Sequence, residues 1–292
     1  MKCNSCPHEC NIDRNIKLGK CRTSNKVKVA KYGLFTYEEP CISGNNGSGT
    51  IFFCNCNLSC VFCQNHEISF DGIGVEYSDI ELGKIYLELQ LKGAENINLV
   101  SPTIYIDNIV NSIKYAKKKG LEIPIVYNTN GYEKVESIKK LEGLVDIYLP
   151  DLKYMKDELG IKYSGVEKYP TIATNAILEM QRQVYKNSFN EKGMLQKGII
   201  VRHLVLPNNI QNSKLVLSWI KENLNKDVIV SLMAQYFPSF RANEFESINR
   251  KLNKKEWDRI EKYFWELDFE SGYIQELEKS EEKYVPDWSE NE

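Results

Sequence analysis

The stretch Gly49-Thr50-Ile51-Phe52-Phe53-Cys54-Asn55-Cys56-Asn57-Leu58-Ser59-Cys60-Val61-Phe62-Cys63 decides how this chain is read. Its first half is a short apolar run and predicts a strand over 50–55. Its second half places C-x3-C-x2-C at the carboxyl end of that strand. The run is entered from Ser43-Gly44-Asn45-Asn46-Gly47-Ser48-Gly49, a turn-forming linker. Downstream, short apolar runs alternate with longer amphipathic stretches. Strands are expected near 96–100, 123–127, 145–149, 198–205 and 227–233, and helices near 77–92, 107–119, 133–142, 172–186 and 212–224. The helix over 107–119 rests on Ile109, Val110, Ile113 and Ala116, whose spacing makes one apolar face. Strands separated by helices need crossover connections, so they pair in parallel and are buried on both faces. Runs such as Ile97-Asn98-Leu99-Val100 and Ile123-Pro124-Ile125-Val126 are too continuous for one-sided antiparallel strands. The expected fold class is α/β: a partial (β/α)6 TIM-like barrel over 46–240, a cysteine-rich extension over 1–45 with one short strand around Val27–Tyr32, and a helical C-terminal extension over 241–292. Chemistry then belongs at the carboxyl ends of the strands.

Composition narrows the function classes. A chain of 292 residues, 42% hydrophobic, suits one large domain with appendages. With 38 basic against 40 acidic side chains there is no charge excess of the kind that marks nucleic-acid or anionic-membrane binders. No stretch approaches the roughly 20 consecutive apolar residues of a membrane span. The start, Met1-Lys2-Cys3-Asn4-Ser5-Cys6, lacks the apolar core of a signal peptide, so a cytoplasmic protein is expected. From Asn243 the stripe Trp257, Ile260, Phe264 and Leu267 predicts a helix, followed by an acidic, mobile end in which Trp288 is the residue that would dock on the body.

All nine cysteines lie between Cys3 and Cys63. Thiols crowded at one end of a chain point to metal ligands rather than to a disulfide scaffold. Cys56, Cys60 and Cys63 can ligate three irons of a 4Fe–4S cube and leave the fourth iron open, the feature that separates a reactive centre from a closed one. The alternative is a structural zinc knuckle. Phe62 is placed to pack on an adenine. Cys3-x2-Cys6-x3-Cys10-x10-Cys21 supplies four more ligands for zinc or a second iron–sulfur cluster, with His8 as a substitute; free or reversibly paired thiols are the alternative. Cys54 reads as a small buried hydrophobe. Cys41 has two destinations, the N-terminal site or the substrate cavity.

Several blocks in order carry a family likeness: Glu38-Glu39-Pro40-Cys41-Ile42-Ser43-Gly44, Cys63-Gln64-Asn65, Asn96-Ile97-Asn98-Leu99-Val100, Asp146-Ile147-Tyr148-Leu149-Pro150-Asp151-Leu152-Lys153 and Arg202-His203-Leu204-Val205-Leu206-Pro207. From Cys3 to about Pro238 the chain resembles the radical S-adenosylmethionine (SAM) superfamily, and more closely its uncharacterised branch related to pyruvate formate-lyase activating enzymes. The resemblance implies an oxidoreductase that splits SAM at the cluster into methionine and a 5′-deoxyadenosyl radical, which takes a hydrogen atom from substrate. It implies an electron donor such as flavodoxin or ferredoxin and a protein or peptide substrate, including the glycine of a glycyl radical enzyme. Another peptide or a small molecule is the second enzymatic reading; an iron–sulfur electron carrier or a metal-stabilised interaction module is the non-enzymatic one.

The same resemblance implies the SAM contacts. Asn128-Thr129-Asn130-Gly131 is similar to the family's Asp-Thr-Asn-Gly block, with Asn128 in place of the acid. Asp151 and Lys153 match an Asp-x-Lys, where Lys153 would neutralise the methionyl carboxylate, and Arg202 matches a SAM-proximal arginine. Leu99-Val100-Ser101-Pro102-Thr103 stands where the family carries Gly-Gly-Glu-Pro, which makes Ser101 and Thr103 the candidates for the methionine amine. Gln235-Tyr236 falls near a SAM-contacting histidine of the activating enzymes, with Tyr236 as a substrate contact. His66 and His203 read as structural, because hydrogen abstraction by a carbon radical needs no base.

Overall fold

The computed structural model describes residues 2–277 and Trp288. Its strands are β1 (Val27–Phe35), β2 (Ser48–Phe53), β3 (Val75–Tyr77), β4 (Ile97–Val100), β5 (Ile125–Thr129), β6 (Ile147–Pro150), β7 (Ser188–Phe189), β8 (Leu195–Leu204), β9 (Ile229–Met233) and β10 (Ser271–Ile274). Its helices are α1 (Pro40–Ser43), α2 (Asp79–Leu91), α3 (Ile106–Lys118), α4 (Val135–Lys139), α5 (Asp157–Ser164), α6 (Tyr169–Val184), α7 (Ile210–Asn223) and α8 (Lys254–Glu266). The six expected barrel strands are β2, β4, β5, β6, β8 and β9, and they pair in parallel in that order. The sheet does not close. It continues from β9 into β10 at one edge and from β2 into antiparallel β1 and β3 at the other, while β7 caps the start of β8.

Alternation along each strand divides the core in two. Ile51, Leu99, Tyr127, Tyr148 and Val201 share one large cluster with Leu82, Ile109, Ile177 and Leu217 of the helices. On the other face Val126, Ile147, Leu149, Ile200 and Ile229 pack around Cys41 and Ile42 of α1, so α1 plugs the lumen. Above the plug the lumen-facing positions turn polar, and the site begins there.

Beyond the expected elements the chain forms α1, β3, β7, α5 and β10. β10 pairs Ser271–Ile274 with Ile229–Leu232, and Gly272 permits the approach, since a Cβ there would stand 2.9 Å from the Val230 carbonyl oxygen and 2.7 Å from the Phe264 ring. A strand this short, half exposed and broken by glycine has little periodic signal. Trp288 docks as expected: it is 8% exposed and meets Phe52 edge-on at 5.1 Å, beside Ile68. The remainder of the acidic end lies outside the described residues. Among those described, no helix is long and apolar enough to cross a membrane.

Glu256 fastens α8 to the turn after β8. It accepts from Arg250 Nη1 (2.7 Å) and from the Asn208 amide (2.7 Å), and completes a capping box with Asn253. Arg250 leads the groups that hold its carboxyl down at about 2. A carboxyl lowered on folding stabilises above its unfolded pKa and loses that contribution as pH falls. Glu256→Ala should therefore cost about 1–2 kcal/mol at neutral pH, read as a lower Tm, with the gap to wild type closing as pH falls toward 2.

Candidate active site

The cysteine loop leaves β2 through Asn55, which adopts a left-handed φ of +64°. The residues between the cysteines anchor it. Leu58, Val61 and Phe62 are buried, the Ser59 amide donates to the Ser164 carbonyl (2.9 Å) and the Val61 amide to that of Tyr163 (2.9 Å). Anchoring the spacers leaves Cys56, Cys60 and Cys63 half-buried at the mouth of the lumen. Cys56 Sγ accepts from the Leu58 amide (3.4 Å) and from Asn130 Nδ2 (3.3 Å), and Cys60 Sγ lies 3.0 Å from Ser164 Oγ. Burial, reinforced by the neighbouring thiols, pushes Cys56 up to about 11 and Cys63 up to about 12. The charge of Lys153 opposes this at Cys60 and Cys56. Phe62, expected against an adenine, packs edge-on to Tyr236 at 5.8 Å in the sheet–helix core.

Beside the thiols lies a buried ionic network. Arg202, in β8, gives Nε to Asp151 Oδ1 (3.1 Å), Nη1 to Glu38 Oε2 (3.1 Å) and Nη2 to Asn128 Oδ1. Lys153 Nζ donates to the other Asp151 oxygen (2.6 Å). Glu38 also accepts from Asn98 (2.9 Å) and Asn128 (3.3 Å). Burial alone would raise the Asp151 carboxyl, but Lys153 and Arg202 hold it below its ordinary range. Burial disfavours the Lys153 ammonium and Asp151 outweighs it, so Lys153 stays charged. Glu38, which carries no expected role, is the acid that precedes the turn plugging the barrel. Asn98 Oδ1 and Glu39 Oε2 are buried without a hydrogen-bond partner.

The strand ends are held in register by Tyr169, at the start of α6. Its hydroxyl donates to the Asn130 carbonyl (2.8 Å), lies 3.1 Å from that of Asp151 and accepts from the Lys153 amide (3.0 Å). Gly131 makes this possible: its φ is +80°, and a Cβ there would stand 2.3 Å from the Asp151 carbonyl oxygen. The structure thus brings Asn128, Asp151, Lys153 and Arg202 together beside the three thiols. Ser101 follows β4 with a left-handed φ of +61°, its amide donating to the Asn128 carbonyl (2.9 Å). Thr103 is 1% exposed and gives its hydroxyl to Glu133 Oε1 (2.6 Å). Tyr236, expected as a substrate contact, is buried in the outer core with its hydroxyl on the Ile248 carbonyl (2.6 Å). Gln235 bonds Gln64 and Gln275 instead.

His203 is structural as expected: it bridges the Leu152 carbonyl (2.7 Å) and Ser213 Oγ (2.9 Å), and burial lowers it to about 4, keeping it neutral. His66 stacks on Phe240 at 4.9 Å. Cys54 is fully buried, its thiol on the Ile73 carbonyl (3.0 Å). Of its two destinations Cys41 takes the lumen, in the plug beneath Glu38.

An open parallel barrel that hangs three thiols over a charged lumen is the build of an iron–sulfur barrel enzyme. Comparison with known proteins sharpens this. A family model described as the Radical SAM superfamily matches residues 50–191. An uncharacterized protein of Methanocaldococcus jannaschii is 32% identical over 283 residues, covering 92% of this chain and 77% of that protein. Among solved structures, SuiB of Streptococcus suis bound to its precursor peptide SuiA aligns with a TM-score of 0.52 at 16% identity, over 76% of this chain and 47% of SuiB. This chain therefore spans about half of SuiB, and the likeness is one of fold. A domain of the pyruvate-formate lyase-activating enzyme of Bacteroides vulgatus aligns at a TM-score of 0.46 and 12% identity, over 63% of this chain and 100% of that domain. The chain belongs to the radical SAM superfamily. Membership implies an enzyme with a 4Fe–4S cluster and SAM, and the residues fit both: three loop thiols for the iron, and beside them paired cations and unpartnered polar atoms for a charged ligand.

Glu133 lies behind this site, bonded by Thr103, Thr129 (2.5 Å) and Tyr127 (3.2 Å), and burial raises it from 4.5 to about 7. A carboxyl raised on folding stabilises fully below its unfolded pKa and loses that contribution as pH rises through the folded one. About 3 kcal/mol should be lost between pH 4.5 and 7. Thermal denaturation should show a pH slope in wild type that Glu133→Gln removes.

Proposed function

We propose that this chain binds SAM against a 4Fe–4S cluster on Cys56, Cys60 and Cys63 and abstracts hydrogen from a peptide or protein, the glycine of a glycyl radical enzyme being the leading substrate. The observation that carries the reading is the meeting of the thiol loop with the Lys153–Asp151–Arg202 network: one ammonium bears on Cys60 and Cys56 and also bonds Asp151. When bound, the cluster supplies the electron that splits SAM, and a low-potential donor such as flavodoxin or ferredoxin replenishes it.

The chain's own residues set the conditions. Lys153 offers charge to the methionyl carboxylate, and Arg202, already saturated by Asp151, Glu38 and Asn128, holds Asp151 in place for it. Ser101 presents a strained turn at the lumen edge, suited to the methionine amine. The α1 plug below and the packed Phe62 and Tyr236 behind keep water from the reacting region. Unpaired cysteines throughout suit a reducing, cytoplasmic setting. A peptide substrate is supported by the activating-enzyme-like sequence blocks.

Reduced, anaerobic protein should convert SAM to 5′-deoxyadenosine and methionine, and Ala at Cys56, Cys60 or Cys63 should abolish this. Lys153→Met should keep its iron and weaken SAM binding by about tenfold or more, since a charged hydrogen bond in a dry pocket is worth about 1.5–3 kcal/mol. SAM affinity unchanged in that variant would remove Lys153 from the site. Deuterium passing from glycine-labelled protein into 5′-deoxyadenosine tests the substrate. SAM cleavage without such transfer would favour a small molecule.

A further inference from the structure

The first 26 residues carry six cations (Lys2, Arg14, Lys17, Lys20, Arg22, Lys26) against two carboxylates, Glu9 and Asp13. Glu9 is engaged by Lys134 on α4's leading edge. The four thiols of this segment nevertheless fold toward one another. Cys21 lies within electrostatic reach of Cys3 and Cys10, and Cys6 of Cys21 and Cys3. A Cβ on Gly19 would sit 3.4 Å from Cys10 Sγ and 3.6 Å from Cys21 Sγ. The backbone is wound to bring them there: a bridge joins Lys2 to Asp13, the Cys3 amide bonds the Ile12 carbonyl (2.7 Å), and Glu9, Asn11 and Arg22 are left-handed.

Arg14 stands against this group. It is 7% exposed and lies over the Tyr105 ring, 5.8 Å from its centre. One of its nitrogens, Nη1, donates to the Ile104 carbonyl (2.7 Å); Nε and Nη2 are buried without a partner. Among the described residues no carboxylate pairs with it, and Asp107 across the adjoining cleft is taken by Lys140 (2.6 Å). The Cys21 thiol lies within electrostatic reach of this guanidinium. A buried guanidinium with two idle nitrogens is a large cost unless an anion belongs beside it.

We infer that Cys3, Cys6, Cys10 and Cys21 form a second metal centre, a tetrathiolate whose net negative charge is partly offset by Arg14. Four thiolates on a zinc ion or on a 4Fe–4S cube carry the same charge of about −2, so the counter-ion argument serves both. Among the described residues no three ligands stand at single-ion spacing, so a zinc ion would draw the thiols inward. The inference does not depend on what the catalytic cluster does.

Metal analysis of the full-length, anaerobically purified chain should find either one zinc equivalent or a second set of irons with matching sulfide, beyond the catalytic cluster. Zinc identifies the first form and iron the second. Cys6→Ser with Cys21→Ser should lose that increment while the SAM-responsive signal of the catalytic cluster persists. Should this variant fail to fold, Arg14→Met keeps every thiol. It should release the second metal to a chelator about tenfold faster and lower Tm. If the wild type holds no metal beyond the catalytic cluster and all four thiols alkylate in the native protein, the inference fails. It fails equally if Arg14→Met raises Tm, the result expected when a buried charge had no anion to neutralise.

Discussion

Arg202 has its charge buried inside the barrel, and the arrangement of the lumen follows from satisfying it. A guanidinium removed from water is tolerated only when its nitrogens are paired. Here the partners come from three places: Asp151 after β6, Asn128 in β5 and Glu38 ahead of the α1 plug. Each has to arrive at the same depth, so the network acts as a register lock between strands far apart in sequence. Tyr169 through its hydrogen bonds and Gly131 through its lack of a side chain fix the ends of β5 and β6 against each other. Lys153 then projects from a frame already determined, with its charge directed at sulfur on one side and at Asp151 on the other.

Much of this could be read from the chain. The six barrel strands announce themselves because parallel strands buried on both faces are continuous apolar runs, and the cysteine spacing is local by nature. What failed was direction. Val230, Leu232, Ala234 and Tyr236 all belong to the helix-facing core, so counting by twos along β9 and past its end places Tyr236 outward. Phe62 sits in an irregular loop where no period applies, and Thr103 follows the left-handed Ser101, which reverses the expected facing. Glu38 was hidden for a different reason. Its partners lie 60 to 164 residues away, and no local pattern encodes such a meeting.

The cysteine-rich segment is bound to the catalytic loop from behind. His8 Nε2 lies 2.7 Å from the Asn57 carbonyl, Arg22 donates to the Ser69 carbonyl (2.9 Å), and the ring of Phe70 lies beneath the Arg22 guanidinium at 4.6 Å. Asn57 in turn donates to the Tyr132 carbonyl (2.7 Å). The loop's spacer residues are anchored toward α5, and this segment supplies a second wall on its outer side.

Glu38 ties the barrel to the segment that precedes it. The acid that balances Arg202 is contributed by the stretch ahead of β2, together with Cys41 and Ile42 that stop the bottom of the lumen. A fragment beginning at the first barrel strand would expose an apolar floor and leave a buried cation one partner short. The barrel strands of this chain are consequently not a self-sufficient unit. A transplant that cut the chain at the glycine-rich linker would separate Arg202 from Glu38, so both sides have to travel together.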